Sequence, residues 1–223
     1  MVFDLMKEIN YEQLRSGFLK YTRKAFGILP RIEKPRILDI GCGSGIPTME
    51  LARLSDGEVI GVDIDQPALG NLNKKAEKIG LANRVKGIEC SMFELNFSDE
   101  SFDIIWAEGA IAPIGFKKGL KVWGRVLKRN GFMVLHDDLA GKENKLSSIP
   151  KLGYQLVEYF ELPEDAWWEE YYSPLEKRIK ELRVKYNDNS TFLEGIKSFQ
   201  DEISAYKKTP QRFRSIFYIL KKV

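Results

Sequence analysis

The sequence predicts an α/β protein of three layers, in which helices cover both faces of a doubly wound, mostly parallel sheet of about seven strands. Short apolar segments alternate with segments of helical periodicity from residue 37 to residue 136. The first apolar segment, Ile37-Leu38-Asp39-Ile40, runs into glycines, which is typical of a strand buried on both faces. At 223 residues, the chain is long enough for one such core with an insertion.

Residues 1–30 are predicted to form an N-terminal helical cap of a single domain that spans residues 1–223. Asn10 is a candidate N-cap, with Gln13 three residues later as its capping-box partner. The apolar positions that follow have helical spacing and are Leu14, Phe18, Tyr21 and Ala25. The pattern predicts one amphipathic helix that ends at Gly27.

Residues 31–162 are predicted to form the core of the sheet. The predicted strands cover 37–40, 58–62, 84–90, 102–106, 132–136 and 154–162. Predicted helices begin at Pro47, span 67–79 before Gly80, and span 117–127 before Asn130-Gly131. Strands that alternate with helices in this way require right-handed crossovers, so the sheet is expected to be parallel.

Residues 163–210 are predicted to form a helical insertion, which is followed by a terminal strand within residues 211–223. Ser173-Pro174-Leu175-Glu176 has the order of N-cap, first-turn proline and capping-box acid, which predicts a helix start. Two apolar stripes follow at spacings of three and four, namely Leu175, Ile179, Leu182 and Tyr186, then Phe192, Ile196, Phe199, Ile203 and Tyr206. The terminal strand is predicted at 213–220.

The composition disfavours several classes of protein. The formal net charge is only +3 and the basic doublets are scattered, so no stripe for nucleic acid is visible. Two cysteines are too few for a disulfide framework and predict a reducing, cytoplasmic environment. No apolar run reaches the roughly 18 residues needed to span a bilayer, and the N-terminus lacks a secretory pattern.

The segment Asp39-Ile40-Gly41-Cys42-Gly43-Ser44-Gly45 leaves a predicted strand and enters a predicted helix. Glycines let a ligand approach the backbone closely, and a helix N-terminus favours polar ligand groups. Asp63 ends the next strand, where a carboxylate can accept both hydroxyls of a ribose. Together they predict a nucleoside-containing cofactor. Ile46 follows Gly45, so the third glycine of the dinucleotide fingerprint is displaced and a nicotinamide dinucleotide fits less well.

At these residues the sequence resembles the class I S-adenosylmethionine-dependent methyltransferases, whose hallmark is an acidic residue before a Gly-x-Gly-x-Gly loop. The match continues through Gly61-Val62-Asp63-Ile64-Asp65, Phe102-Asp103-Ile104-Ile105 and Leu127-Lys128-Arg129-Asn130-Gly131-Phe132. It covers residues 36–137. The resemblance implies S-adenosylmethionine as cofactor and an antiparallel terminal strand beside the fifth.

The resemblance also implies roles for individual residues. Asp39 and the backbone of the glycine loop would hold the methionine part, Asp63 the ribose and Ile64 the adenine. Ser91 stands where similar enzymes usually place an Asp for the adenine amine, which predicts a weaker contact. The implied cofactor residues are Asp39, Gly41, Cys42, Gly43, Gly45, Asp63, Ile64, Ser91, Met92, Phe93, Trp106 and Glu108.

Methyl transfer requires that the two reactants are positioned in line and that water is excluded. A general base is needed only where the acceptor arrives protonated. His136, the only histidine, and Glu108 are the candidates, because both end strands at the carboxyl edge. Asp137-Asp138 could suggest magnesium, but adjacent residues of a strand point to opposite faces, so no metal is predicted. Cys42 is either a reactive thiol or, as we favour, a small buried filler.

The acceptor is predicted to be a small molecule. Ala107-Glu108-Gly109-Ala110 lacks the Asn/Asp-Pro-Pro-aromatic signature of enzymes that methylate flipped bases. Trp167 and Tyr171 form an aromatic stripe beyond what a core needs and are predicted to bind a cationic or planar acceptor. Two alternative functions stay open, a nicotinamide-dinucleotide oxidoreductase and a non-catalytic module that binds the cofactor. Assembly as a homodimer also stays open.

Overall fold

In the computed structural model, which describes residues 5–223, a seven-stranded sheet has the strand order β3-β2-β1-β4-β5-β7-β6. The strands are β1 Arg36–Ile40, β2 Glu58–Asp63, β3 Val85–Glu89, β4 Phe102–Glu108, β5 Leu127–Asp138, β6 Tyr154–Glu161 and β7 Ser215–Lys222. The first five are parallel, whereas β7 lies antiparallel between β5 and β6. The doubly wound sheet and its antiparallel terminal strand are therefore confirmed.

Ten α-helices occur within the described residues. They are α1 Leu5–Glu8, α2 Tyr11–Ser16, α3 Leu19–Ile28, α4 Ile46–Leu54, α5 Gln66–Lys78, α6 Phe116–Gly124, α7 Lys142–Ser148, α8 Ser173–Lys185, α9 Ser190–Gly195 and α10 Lys197–Lys208. Pro150–Leu152 and Pro210–Phe213 form 3-10 turns, and Trp168–Tyr172 forms a π-helix. Short α7 follows β5 and was not predicted from the sequence.

The strand registers bring the polar residues of the carboxyl edge onto one face. Asp39 of β1 pairs with Trp106 of β4, and Glu108 pairs with His136 of β5. Residues in register on neighbouring strands share a face of the sheet, and every second residue of a strand does so too. Asp39, Trp106, Glu108 and His136 therefore lie on the same face, at the edge where ligands bind in open α/β sheets.

The predicted N-terminal helix was wrong in two respects. Asn10 has a left-handed conformation, with φ 56°, and its side chain caps nothing. The helix is also interrupted at Gly17, where an added Cβ atom would lie 2.8 Å from Oε2 of Glu170. Helix α3 begins at Leu19 and continues past the predicted end at Gly27 to Ile28.

Two boundaries near the end of the core were also wrong. Helix α6 ends at Gly124 and not at residue 127, because Leu127 already pairs with Phe102 in the sheet. Asn130, with φ 62°, forms an irregularity within β5 where a helix end was expected. The terminal strand begins at Ser215, two residues later than predicted, after a 3-10 turn.

Ser173 does not cap a new helix as predicted. It has helical φ and ψ of −65° and −49°, and α8 continues directly from the preceding π-helix. The two apolar stripes are largely confirmed, since all their members but Tyr186 are buried, including Leu175, Leu182 and Phe192. The second stripe, however, is divided between α9 and α10.

The chain divides into two compact units. The helical unit contains the described residues up to Lys20 together with Leu162–Arg214, and the sheet unit contains Tyr21–Glu161 and Ser215–Val223. The core of the sheet unit is built on side chains with almost no exposure, such as Ile37, Trp106, Trp123 and Tyr218. Every helix within residues 5–223 is too short or too polar to cross a membrane.

Candidate cofactor and active site

The glycine loop between β1 and α4 needs its glycines for different reasons. Gly41, Gly43 and Gly45 all have positive φ, at 70°, 51° and 80°. A Cβ atom on Gly41 would lie 2.5 Å from that of Ala110, and one on Gly45 would lie 2.3 Å from Cδ1 of Leu72. Nothing lies within 4 Å of the corresponding position at Gly43. The backbone at Gly43 therefore faces open space into which a ligand can fit.

Asp63 connects the glycine loop to the end of β2. Its Oδ2 accepts a hydrogen bond from the backbone N–H of Gly43 at 2.8 Å. Its Oδ1 accepts from the N–H groups of Ile64 at 2.7 Å and Asp65 at 3.0 Å. Three backbone donors thus fix the carboxylate, which has about four lone-pair sites in all and can still accept from a ligand hydroxyl.

The loop N–H groups are already used within the protein. Gly41 and Cys42 donate to the carbonyl oxygen of Val62 at 2.8 and 3.1 Å, and Gly43 donates to Asp63. These three N–H groups therefore have partners within the protein. Burial raises the pKa of the Cys42 thiol, which opposes a reactive thiolate and supports its role as a filler.

Asp39 is almost fully buried, with 1% of its surface exposed, and it accepts a hydrogen bond of 2.6 Å from the hydroxyl of Thr48. Burial raises the pKa of Asp39 to about 8, and the nearby carboxylates of Glu108 and Asp63 raise it further, against the Thr48 hydrogen bond. Because its raised pKa keeps Asp39 protonated near neutral pH, the negative potential at the carboxyl edge comes from Glu108 and Asp63. A cationic ligand close to Asp39 would favour its ionised form.

The raised pKa of Asp39 predicts how stability changes with pH. Between about pH 4 and 8, the folded protein retains a proton on Asp39 that the unfolded chain has released. The free energy of unfolding should therefore fall as pH rises, by up to about 1.4 kcal/mol per pH unit from this group. Denaturant titrations at pH 5, 6, 7 and 8 should show a steeper fall for the wild type than for Asp39→Asn, which lacks the proton. Equal slopes for the two proteins would contradict this assignment.

The residues implied for adenine form an exposed apolar border beside Asp63. Ile64 is 73% exposed and Phe93 is 51% exposed, which is unusual for large apolar side chains. Ser91 Oγ accepts a hydrogen bond of 3.3 Å from the N–H of Phe93, so its hydroxyl hydrogen is directed elsewhere. The carbonyl of Met92 accepts from Nε1 of Trp123 at 2.9 Å, which anchors this segment.

Glu108 is fixed by two donors on the same oxygen. Its Oε1 accepts from Nε1 of Trp106 at 2.7 Å and from the hydroxyl of Thr22 at 2.8 Å. Thr22 lies on α3 and has no exposed surface. The sequence analysis did not identify Thr22, although a polar residue next to the apolar stripe of a predicted helix was a usable signal.

His136 lies beside Glu108 on the same face and is 5% exposed. Its ring stacks on Phe217 with centroids 4.6 Å apart and an interplanar angle of 11°. Phe217 stacks in turn on Phe160 at 5.1 Å. This packing restricts the rotation of the imidazole, so the two candidate bases lie next to each other in defined orientations.

Asp137 and Asp138 share one cation. Nζ of Lys145 lies 2.7 Å from Oδ2 of Asp137 and 2.9 Å from Oδ1 of Asp138. Within the described residues, no group of three or more His, Cys, Asp or Glu side chains has a geometry suited to a metal ion. Lys145 lies on α7, so both ion pairs join the end of β5 to that helix.

Trp167 and Tyr171, the predicted acceptor residues, belong to the helical unit. Their rings contact each other edge to face at 6.2 Å, and Phe18 lies 4.5 Å from Trp167. Tyr171 is 4% exposed and also contacts Tyr11 at 6.3 Å. The structure therefore places both residues in one aromatic cluster.

The comparisons with known proteins agree with this geometry. The methyltransferase domain family matches residues 37–131, which contain the glycine loop, Asp63 and Glu108. The 27-O-demethylrifamycin SV methyltransferase of Amycolatopsis mediterranei is 28% identical over 179 residues, or 72% of this chain and 66% of that enzyme. The chain covers less than two thirds of the length of the curated relatives it matches, from 20% to 66%.

Solved structures share the fold. A methyltransferase from Geobacter sulfurreducens, in complex with S-adenosyl-L-homocysteine, is similar with a TM-score of 0.76, 20% identity and coverage of 92% of this chain and 91% of that chain. The cyclase SpnF is similar with a TM-score of 0.77, 17% identity and coverage of 91% and 80%. Fold, glycine loop and family match together define a Rossmann-like methyltransferase domain. Residues 37–131 are thus similar to the methyltransferase domain family, and the fold is the one seen in S-adenosylmethionine-dependent methyltransferases.

Proposed function

We propose that this protein transfers a methyl group from S-adenosylmethionine to a small-molecule acceptor by in-line displacement. The observation that carries the proposal is the Asp63 carboxylate, which three backbone N–H groups fix at the end of β2 beside the open backbone of Gly43. The relatives support it, because they include methyltransferases that act on small molecules, such as demethylrifamycin and sterols. They favour methyl transfer over nicotinamide-dependent oxidation and over non-catalytic binding.

The residues present fit S-adenosylmethionine. Asp63 can accept from the ribose hydroxyls, and the exposed side chains of Ile64 and Phe93 can pack on the adenine. The negative potential from Glu108 suits the ammonium and sulfonium charges of the ligand, and these charges would favour ionisation of Asp39 on binding. When bound, the cofactor supplies an electrophilic methyl group on a positively charged sulfur.

The chain contributes orientation and, where needed, a base. Displacement at a sulfonium disperses positive charge, so alignment of the acceptor and exclusion of water are the main requirements. His136 or Glu108 would accept the acceptor proton if the acceptor arrives protonated, and their neighbouring positions let one orient the other. Glu108 in addition would hold the cofactor's methionine part.

Thr22 provides a test of Glu108. We expect Thr22→Val to lower the methyl-transfer rate by about tenfold, because a hydrogen bond to a charged group is worth about 1.5 kcal/mol or more. Thr22→Ser keeps the hydroxyl and should retain most of the activity. The measurement is kcat and KM for the cofactor as a function of pH, since a loss of packing alone would leave the pH profile unchanged. Equal activity of Thr22→Val and the wild type would argue against a role for this bond.

The proposal includes a cytoplasmic location and small-molecule partners. Two free cysteines, both buried, are compatible with a reducing compartment. The near balance of 35 basic and 32 acidic side chains does not favour nucleic acid as the substrate.

Incubation with S-adenosylmethionine labelled in its methyl group and a metabolite extract tests the proposed function. We expect label in a small-molecule product and S-adenosylhomocysteine as the second product. Asp63→Ala serves as the control, because it should lose both. Tight cofactor binding without any labelled product would instead indicate a non-catalytic module.

A further inference from the structure

A cation already lies within the aromatic cluster of the helical unit. Cζ of Arg15, on α2, lies 5.4 Å from the ring centroids of Phe18 and Trp167 and 5.9 Å from that of Tyr171. Contacts of this length between a guanidinium and aromatic rings are attractive, more so when water is excluded. A cationic acceptor would therefore have to compete with Arg15 for these rings.

The guanidinium of Arg15 has unused hydrogen-bonding capacity. It carries five N–H donors and is half-buried, yet within residues 5–223 it makes no hydrogen bond or ion pair. Among the described residues, the contacts with the rings leave its N–H edge without a hydrogen-bond acceptor. That edge matches the two oxygen atoms of a carboxylate.

Three further polar groups interact electrostatically with Arg15. They are the hydroxyls of Tyr171 and Tyr172 and the carboxylate of Glu202, and the ring of Tyr171 lies 5.9 Å from Cζ of Arg15. Burial raises the pKa of both hydroxyls, and partial burial raises the pKa of Glu202 while Arg15 opposes that shift. In the part of the chain that the structure describes, no hydrogen bond joins any two of these four side chains.

The π-helix Trp168–Tyr172 supplies an independent indication. Tyr171 and Tyr172 are consecutive, yet each is only 4% exposed, so both are turned inward. Single π-helical turns are uncommon in proteins and occur frequently at functional sites. The chain thus adopts an unusual backbone where it places two hydroxyls near an unpaired guanidinium.

We propose that Arg15, Tyr171, Tyr172 and Glu202 form a binding site for a planar organic carboxylate. The carboxylate accepts from the N–H edge of Arg15 and from a tyrosine hydroxyl, the aromatic rings pack on its planar part, and Glu202 accepts from a donor group elsewhere on the molecule. As an assignment of the methyl acceptor, this inference rests on the proposed function. The aromatic residues alone predict a cationic or planar acceptor, whereas this site predicts an acceptor with a negative charge.

Three probes of nearly equal shape test the charge preference. Benzoate, benzamide and benzamidinium are titrated separately into the full-length protein, and binding is followed by calorimetry and by tryptophan fluorescence. We expect benzoate to bind about tenfold more tightly than benzamide, because its contact with Arg15 is charge-assisted. Benzamidinium should bind more weakly than either.

Variants then assign the preference to Arg15. Arg15→Gln should remove the difference between benzoate and benzamide, whereas Arg183→Gln, at an exposed arginine of α8, should leave it unchanged. Glu202→Gln should bind benzoate several-fold more tightly than the wild type, because a neighbouring negative charge is removed. A merely destabilised protein would not gain affinity, so this variant separates a binding role from a folding defect.

The outcomes distinguish this inference from the proposed function. Equal affinities for the three probes, a preference for benzamidinium, or an unchanged preference in Arg15→Gln would overturn the carboxylate site. If the same protein binds S-adenosylhomocysteine when that ligand is titrated, the methyltransferase assignment is unaffected. If benzoate binds through Arg15 but no S-adenosylhomocysteine binds, the carboxylate site stands and the proposed function fails.

Discussion

Gly43→Ala is expected to lower affinity for S-adenosylhomocysteine on the order of 100-fold while the protein stays folded. Gly43 has φ 51°, which costs a residue with a Cβ atom about 1–2 kcal/mol. The added methyl group would meet no protein atom within 4 Å and would occupy the space proposed for the ligand. Calorimetric titration gives the affinity, and denaturant unfolding gives the loss of stability.

Gly80→Ala is the matched control. Gly80 follows α5, has φ 73° and likewise has nothing within 4 Å of the position of a Cβ atom. Both substitutions should therefore lower the free energy of unfolding by similar amounts, but only Gly43→Ala should lose affinity for the cofactor. Equal affinities of the two variants would mean that the open space at Gly43 does not hold the ligand.

The second large effect is expected for Asp63. Asp63→Ala should lower cofactor affinity by about 100-fold, because a hydrogen bond to a charged group is worth about 1.5–3 kcal/mol and the substitution also removes the acceptor that holds the N–H of Gly43. Asp63→Asn keeps one acceptor oxygen and should lose less. Surface plasmon resonance with S-adenosylhomocysteine measures both.

Glu58→Gln is the control for Asp63. Glu58 begins the same strand, at the opposite end, and forms an exposed ion pair of 2.9 Å with Arg36. Exposed pairs contribute little, so its affinity should stay within about twofold of the wild type. If Asp63→Ala bound the cofactor as well as Glu58→Gln does, the ribose assignment would be wrong.

The parts of the fold that depend on local periodicity were predictable. Six strands and the helix that contains Pro67 were placed within two residues at each end, because strands are short apolar runs and the helix has clear end signals. Asp65 caps that helix and accepts from the N–H of Ala68 at 3.0 Å. The error at Gly17 lies where the chain passes close to Glu170, and the error at Ser173 lies where α8 continues from a π-helix; periodicity reports neither.

The candidate site shows the same division. Asp39, Asp63 and Glu108 were predictable because each ends a strand or precedes the glycine loop at the carboxyl edge. Thr22 was not, since its role depends on a hydroxyl 86 residues away in sequence from the carboxylate that it contacts. The polar cluster around Arg15 was equally hidden, because it depends on a π-helix that no simple periodicity predicts.

A crystal structure of the protein with S-adenosylhomocysteine is the most direct test of the methyltransferase assignment. The account predicts that the ribose hydroxyls lie within hydrogen-bonding distance of the Asp63 carboxylate and that the amino-acid end lies against residues 41–45 near Asp39. Density for the ligand at another place, or no binding at saturating concentration, would contradict it.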